Sequence, residues 1–204
     1  MGIYKGRDFA FYISPKTGGT TIRSWIVYSQ TETLEIQTLD KNEYSVQNGI
    51  GQQLITNMGY YYKGFKEVNS PVKVCVKRDP VSRFLSCYTD KILREKCANL
   101  SIDDILDDPN CLKQGRLDGI NPGYYMENHF LPQSHYLGND NSYYDIVFDT
   151  SEVSTSIRAF LSEKLGCELP NLHTRKQKKK PDLTQDQVSK IKDLYATDYE
   201  NGWF

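Results

Sequence analysis

The sequence predicts an α/β protein with a mainly parallel sheet flanked by helices. Two observations carry this. Short apolar runs alternate along the chain with segments whose apolar residues recur at helical spacing, and successive runs break into a loop just ahead of a helix start. Length is the third: 204 residues can close one hydrophobic core, so a single domain spanning 1–204 is expected.

Asp8 to Ser14 is apolar and aromatic and ends at Pro15, which reads as a strand of a covered sheet. From Thr20 the pattern turns helical, with Ile22, Trp25 and Ile26 on one face. Residues 30 to 70 are less regular: a strand is offered at Thr33 to Thr38, then polar sequence and the Tyr60-Tyr61-Tyr62 cluster. Val72 to Lys77 alternates with period two and reads as the second strand. Behind it, Asp79 suits a helix N-cap and Pro80 the first helical position. Val81, Phe84, Leu85, Tyr88 and Ile92 continue as a helical stripe. Asp107 to Tyr125, rich in Asp, Asn, Pro and Gly, reads as a long substrate-facing surface loop. Asp145 to Asp149 is a third strand. Val153, Ile157, Phe160, Leu161 and Leu165 mark the helix after it, which Gly166 can stop. Thr184 and Gln187 fit a capping box that opens a last helix along Val188, Ile191, Leu194 and Tyr195.

Composition narrows the function classes. Apolar content of 38%, with 12% aromatic residues, indicates a globular chain. A formal net charge of -1 argues against a strongly basic nucleic-acid binder or a polybasic membrane binder, so any anion site must be local. No cationic start leads into an apolar h-region, and no apolar stretch approaches the roughly 20 residues of a membrane span. The five cysteines are scattered without a CxxC, and three histidines are too few to suggest a zinc cluster. Free thiols in a reducing compartment are expected, a Cys97–Cys111 bridge being the alternative. The Asn99-Leu100-Ser101 sequon reads as chance in an unexported chain.

The chemistry concentrates where strands end. In "FYISPKTGGTTIRSW", Gly18 and Gly19 would let backbone N–H groups approach an anion at the positive end of a helix. Thr20 and Thr21 can add hydroxyl donors, and Lys16 brings a full charge. A Walker A loop requires a Gly-Lys pair, which the chain lacks. Gly49-Ile50-Gly51 fails the dinucleotide fingerprint at Leu54. Taken alone the loop could be an ordinary glycine turn. Arg78, however, also stands between a strand and a helix, where a guanidinium can grip a phosphate bidentately. Ser86, about two helical turns further, could reach the same region; the plain reading pairs Arg78 with Asp79 at the surface. Two anion sites at strand ends ask for a ligand with two separated phosphate groups.

"PKTGGTT" resembles the 5′-phosphosulfate loop of sulfotransferases that use 3′-phosphoadenosine 5′-phosphosulfate (PAPS), and "KRDPVSRFLSCY" resembles their 3′-phosphate motif. "HFLPQSHYL" with "YDIVFD", then "LPNLHTRKQ" and "LTQDQVSKIKDLYATDYE", are similar to the carbohydrate branch that includes heparan sulfate 2-O-, chondroitin and HNK-1 sulfotransferases. The resemblance implies a P-loop-like sulfotransferase fold and transfer of a sulfuryl group from PAPS to a hydroxyl, with a glycan the expected acceptor. It leaves 3′,5′-ADP (PAP) as product, and needs no metal. It assigns Lys16 to the 5′-phosphosulfate and to catalysis, Thr17, Gly18, Gly19, Thr20 and Thr21 to the 5′-phosphate, and Arg78 with Ser86 to the 3′-phosphate.

Related enzymes commonly place a histidine between the two motifs, and this chain has none there; Asn57 lies near that place. The base candidates are His129 and His135 in "HFLPQSH", with Glu127 beside them. His129 ranks first because it fits the His-x-x-Pro-Gln pattern, the alternative being a structural histidine. The run Arg175-Lys176-Gln177-Lys178-Lys179-Lys180 could close over nucleotide phosphates, attract a polyanionic glycan or stay solvated. The resemblance makes Arg175 and Lys176 cofactor candidates. Two other classes stand beside the enzyme: an ATP-dependent kinase, and a non-catalytic nucleotide- or glycan-binding descendant. Animal relatives carry a Golgi anchor, whereas this chain starts almost at its first core strand. A cytoplasmic form is expected, a trimmed anchor being the alternative.

Overall fold

The computed structural model describes residues 2–31, 64–114, 123–172 and 180–204. Along them run β1 (Gly2–Lys5), β2 (Phe9–Ile13), α1 (Gly19–Thr31), β3 (Val72–Lys77), α2 (Pro80–Cys87) and α3 (Ile102–Asp107). Then follow α4 (Gly123–Phe130), α5 (Ser134–Leu137), β4 (Ile146–Asp149), α6 (Arg158–Leu165), α7 (Gln185–Leu194) and α8 (Ala196–Glu200). Their contacts fall into two compact units, Met1–Lys77 with Ser142–Lys176, and Arg78–Asn141 with Gln177–Phe204. Among the described residues no helix is long and apolar enough to cross a membrane.

The first unit is built on a four-stranded sheet in the order β1-β2-β3-β4. β2–β3 and β3–β4 are parallel and β1–β2 is antiparallel, so the sheet is mixed, with the expected parallel pairs. Every residue of β2 is buried. By period-two alternation Phe9, Phe11 and Ile13 share one face with Val74 and Val76 of β3. Against that face pack Ile22, Trp25 and Ile26 of α1 together with Ile157 and Leu161, the stripes that the sequence shows at helical spacing. Ile13 stands opposite Val76, so β2 and β3 end at the same edge of the sheet. On the other face the Tyr12 hydroxyl bonds the Lys66 carbonyl and the Tyr143 hydroxyl, both at 2.9 Å, tying the approach to β3 onto the sheet.

The second unit is helical. Phe84, Cys87 and Tyr88 meet Ile105, Met126, Phe130, Ile191 and Tyr195 in its core. Its helix starts are written locally. Asp79 caps α2 through a 2.7 Å bond from the Ser82 N–H, with Pro80 at the first position. Ser101 with Asp104, and Thr184 with Gln187, form capping boxes on α3 and α7. In the first unit, Gly166 ends α6 at φ 70° as expected.

Some readings change. Asp107 to Tyr125 is not one long loop: Asp107 ends α3, Pro109–Gln114 forms a 3-10 turn, and α4 begins at Gly123. Its acidic neighbours are partly helix chemistry, since Asp103 and Asp104 occupy the first turn of α3, and Leu112 is drawn into the core. β1 was not foreseen, because its four residues acquire strand geometry only by closing a hairpin onto β2. The stripe beyond Cys87 continues as a wider π turn, Tyr88–Arg94. All five cysteines are free thiols, so Cys97 and Cys111 are not bridged. The suggested strand at 33–38, Asn57 and the tyrosines at 60–62 lie outside the described residues.

Candidate functional site

In the first unit the chain leaves β2 and reverses through residues 14–18 into α1. Lys16 adopts φ 67°, left-handed backbone that costs a residue with a Cβ on the order of 1–2 kcal/mol. Gly18 has φ 82°, and a Cβ there would stand 2.8 Å from Val153 Cγ2; on Gly19 it would meet Ile13 Cγ2 at 3.0 Å. The glycines therefore let the loop sit against β2 and the Val153 turn, a packing demand that composition alone could not distinguish from room for an anion. The Thr17 hydroxyl is fully buried and donates to the Ser14 carbonyl at 2.8 Å, so its side chain is spent inside the loop. Thr20 is half-buried and Thr21 buried at the head of α1, whose first turn has no acidic side chain to offset its positive end. Ser14 Oγ is buried without a hydrogen-bond partner among the described residues, a polar group that sequence reading passed over.

The second unit begins at Arg78. α2 buries Pro80, Arg83, Phe84 and Cys87, leaving Ser86 half-buried on a different face. Gln133 holds the backbone of Arg78 from both sides: the Arg78 N–H donates to Gln133 Oε1 at 2.9 Å, and Gln133 Nε2 donates to the Arg78 carbonyl at 2.7 Å. Lys180 lies near the same residue. Burial first, and then the charge of Arg78, hold its pKa below the usual lysine range, with Asp79 opposing. Arg78, Lys180 and the Asp79 carboxylate are thus near enough at the head of α2 to feel one another's charge. The basic run marked this stretch in the sequence, but Arg175 and Lys176, the members first nominated, lie outside the described residues.

His129 lies in the last turn of α4 and is half-buried. Its carbonyl accepts from Arg83 Nη1 at 3.1 Å and from the Cys87 thiol at 2.9 Å, so its backbone belongs to the core. Arg83 is fully buried, also donates to the Leu131 carbonyl, and lies 4.9 Å from the Tyr195 ring centre. Burial raises the Tyr195 phenol above its ordinary range, so it stays neutral beneath the guanidinium. The second Arg of "KRDPVSRF" is thus a buried tie within the unit, which its charge would not suggest. The nominated residues accordingly fall into two sets. Lys16 to Thr21 lie in one unit, and Arg78, Ser86 and His129 in the other.

Compared with models of protein families, residues 7–201 match the one described as the sulfotransferase family. No curated protein matches the chain. A match running from before β2 through α8 takes in both strand-to-helix motifs and the polar frame around Arg78, far beyond what one glycine loop could produce. The chain belongs to the sulfotransferase family.

Proposed function

We propose that the protein transfers a sulfuryl group from PAPS to a hydroxyl of a carbohydrate, releasing PAP and a sulfate ester. The observation that carries the reading is the family match over residues 7–201, which takes in both the Lys16 loop and the Arg78 segment whose backbone Gln133 holds at both ends. A ligand with two distinct anionic ends accounts for both. In this reading Lys16 and the backbone of residues 17–21 hold the 5′-phosphosulfate, and Arg78, Ser86 and Lys180 hold the 3′-phosphate. The acceptor oxygen attacks sulfur in line and the bond from sulfur to the bridging phosphate oxygen breaks. PAP leaves with that electron pair while a base, proposed as His129, takes the acceptor's proton. Lys16 neutralises charge growing on the bridging oxygen, which is the work of an electrostatic rather than a covalent catalyst.

Titrating PAP and ATP into the protein tests the donor. PAP should bind and ATP should compete poorly; ATP binding without PAP binding would sink the reading. Radiolabelled PAPS with a panel of glycans then tests the acceptor class, and undiminished turnover in His129→Ala would remove that residue from the chemistry.

A pH dependence follows from Lys180. A bound 3′-phosphate should raise its lowered pKa, so binding takes up a proton between the free and bound values. PAP affinity should be level while Lys180 is charged in both states and fall as pH rises through that window. Lys180→Arg should bind PAP with no such alkaline fall, read by calorimetry in buffers of differing ionisation enthalpy.

A further inference from the structure

The Pro132-Gln133-Ser134 corner is held more firmly than a connection between two short helices requires. Asp198 is fully buried, and its carboxylate accepts the Gln133 N–H at 2.9 Å and the Ser134 N–H at 2.8 Å. On the preceding side, Arg83 ties the carbonyls of His129 and Leu131 to α2. The side chain fixed by this frame is Gln133, itself fully buried, and both ends of its amide are spent on one residue, Arg78. The pairing imitates a β bridge for a residue that belongs to neither β3 nor α2.

We propose that Gln133 is a positioning residue for anion binding: it fixes the backbone of Arg78 so that the guanidinium meets the 3′-phosphate already placed. This rests on the function proposed above. The physical gain is preorganisation. A guanidinium on a loose strand-to-helix link must lose backbone freedom on gripping a phosphate, whereas here that freedom is removed beforehand, leaving only side-chain torsions to order. Neither end of the amide can be dispensed with. An isosteric apolar side chain would remove both bonds to the Arg78 backbone, and a carboxylate would keep an acceptor for the N–H while setting an oxygen against the carbonyl.

The test compares PAP with 5′-AMP, which lacks the 3′-phosphate, in the wild type, Gln133→Met, Gln133→Glu, Arg78→Ala and the Arg78→Ala/Gln133→Met double variant. Gln133→Met should weaken PAP about tenfold, a loss of preorganisation worth one good hydrogen bond, and leave AMP within about twofold. In the Arg78→Ala background the same change should cost PAP nothing further. Gln133→Glu should fall between, and it supplies the comparison if Gln133→Met does not fold. Equal weakening of PAP and AMP, an unchanged PAP-to-AMP ratio in the Gln133 variants, or full additivity with Arg78→Ala would overturn the inference and leave the donor reading standing. A wild type that binds PAP no better than AMP would overturn both.

Discussion

Lys16→Ala is expected to lower turnover by about 10²–10³-fold, the usual cost of removing a preorganised charge from a developing oxyanion. PAP affinity should fall by much less, because the charge that Lys16 meets grows only as the bridging oxygen leaves. Its backbone makes the experiment sharper. At φ 67° a residue with a Cβ is strained, so Lys16→Gly should lose turnover equally while its unfolding midpoint stays close to wild type, relief of strain offsetting the extra freedom of the unfolded chain. Lys16→Arg keeps the charge but moves it, and should retain an intermediate rate. Single-turnover kinetics with radiolabelled PAPS, alongside PAP titration, separate chemistry from binding. If Lys16→Ala kept more than a tenth of wild-type turnover, the lysine would be a binding residue only.

Asp198→Ala should strongly destabilise the second unit. The carboxylate is fully buried and accepts two backbone N–H groups, from Gln133 and Ser134. Removing it strands both donors away from water, at about 1–3 kcal/mol each, so a loss of roughly 2–6 kcal/mol is expected. That is a large part of the 5–15 kcal/mol that typically holds a domain together. Asp198→Asn keeps one carbonyl oxygen but turns an NH2 toward the other donor, and should fall between. Urea unfolding followed by tryptophan fluorescence is well placed to see it, because Trp203 is buried five residues away with its indole N–H on the Gly138 carbonyl at 3.0 Å. A midpoint for Asp198→Ala within error of wild type would mean that water reaches these donors.

The parts legible in the sequence are those whose cause lies within a few residues. Asp79 before Pro80, Thr184 with Gln187, and Gly166 behind a helical stripe announce helix ends because caps and left-handed turns are local chemistry. β2 was readable as a short apolar run, as a strand buried on both faces should be, and β3 by its period-two alternation. The Lys16 loop and Arg78 stood out for the same reason: each interrupts a strand-to-helix join with charge.

Elsewhere the cause is distant. β1 exists through its pairing with β2, Leu112 is drawn from an apparent loop by a core it cannot see in the sequence, and Arg83 looks like a surface cation until two carbonyls more than forty residues away claim it. By itself, then, the sequence determined β2, β3 and β4, the helices behind them and the last long helix, and the helix ends at Asp79, Gly166 and Thr184. Only the tertiary structure decided why Gly18 must be glycine, against Val153, and which side chain holds Arg78 in place. The physical reason is range. Periodicity and capping act over one or two turns of chain, whereas Gln133 meets Arg78 across 55 residues and Asp198 meets Gln133 across 65, distances over which composition and spacing carry no record of a hydrogen bond.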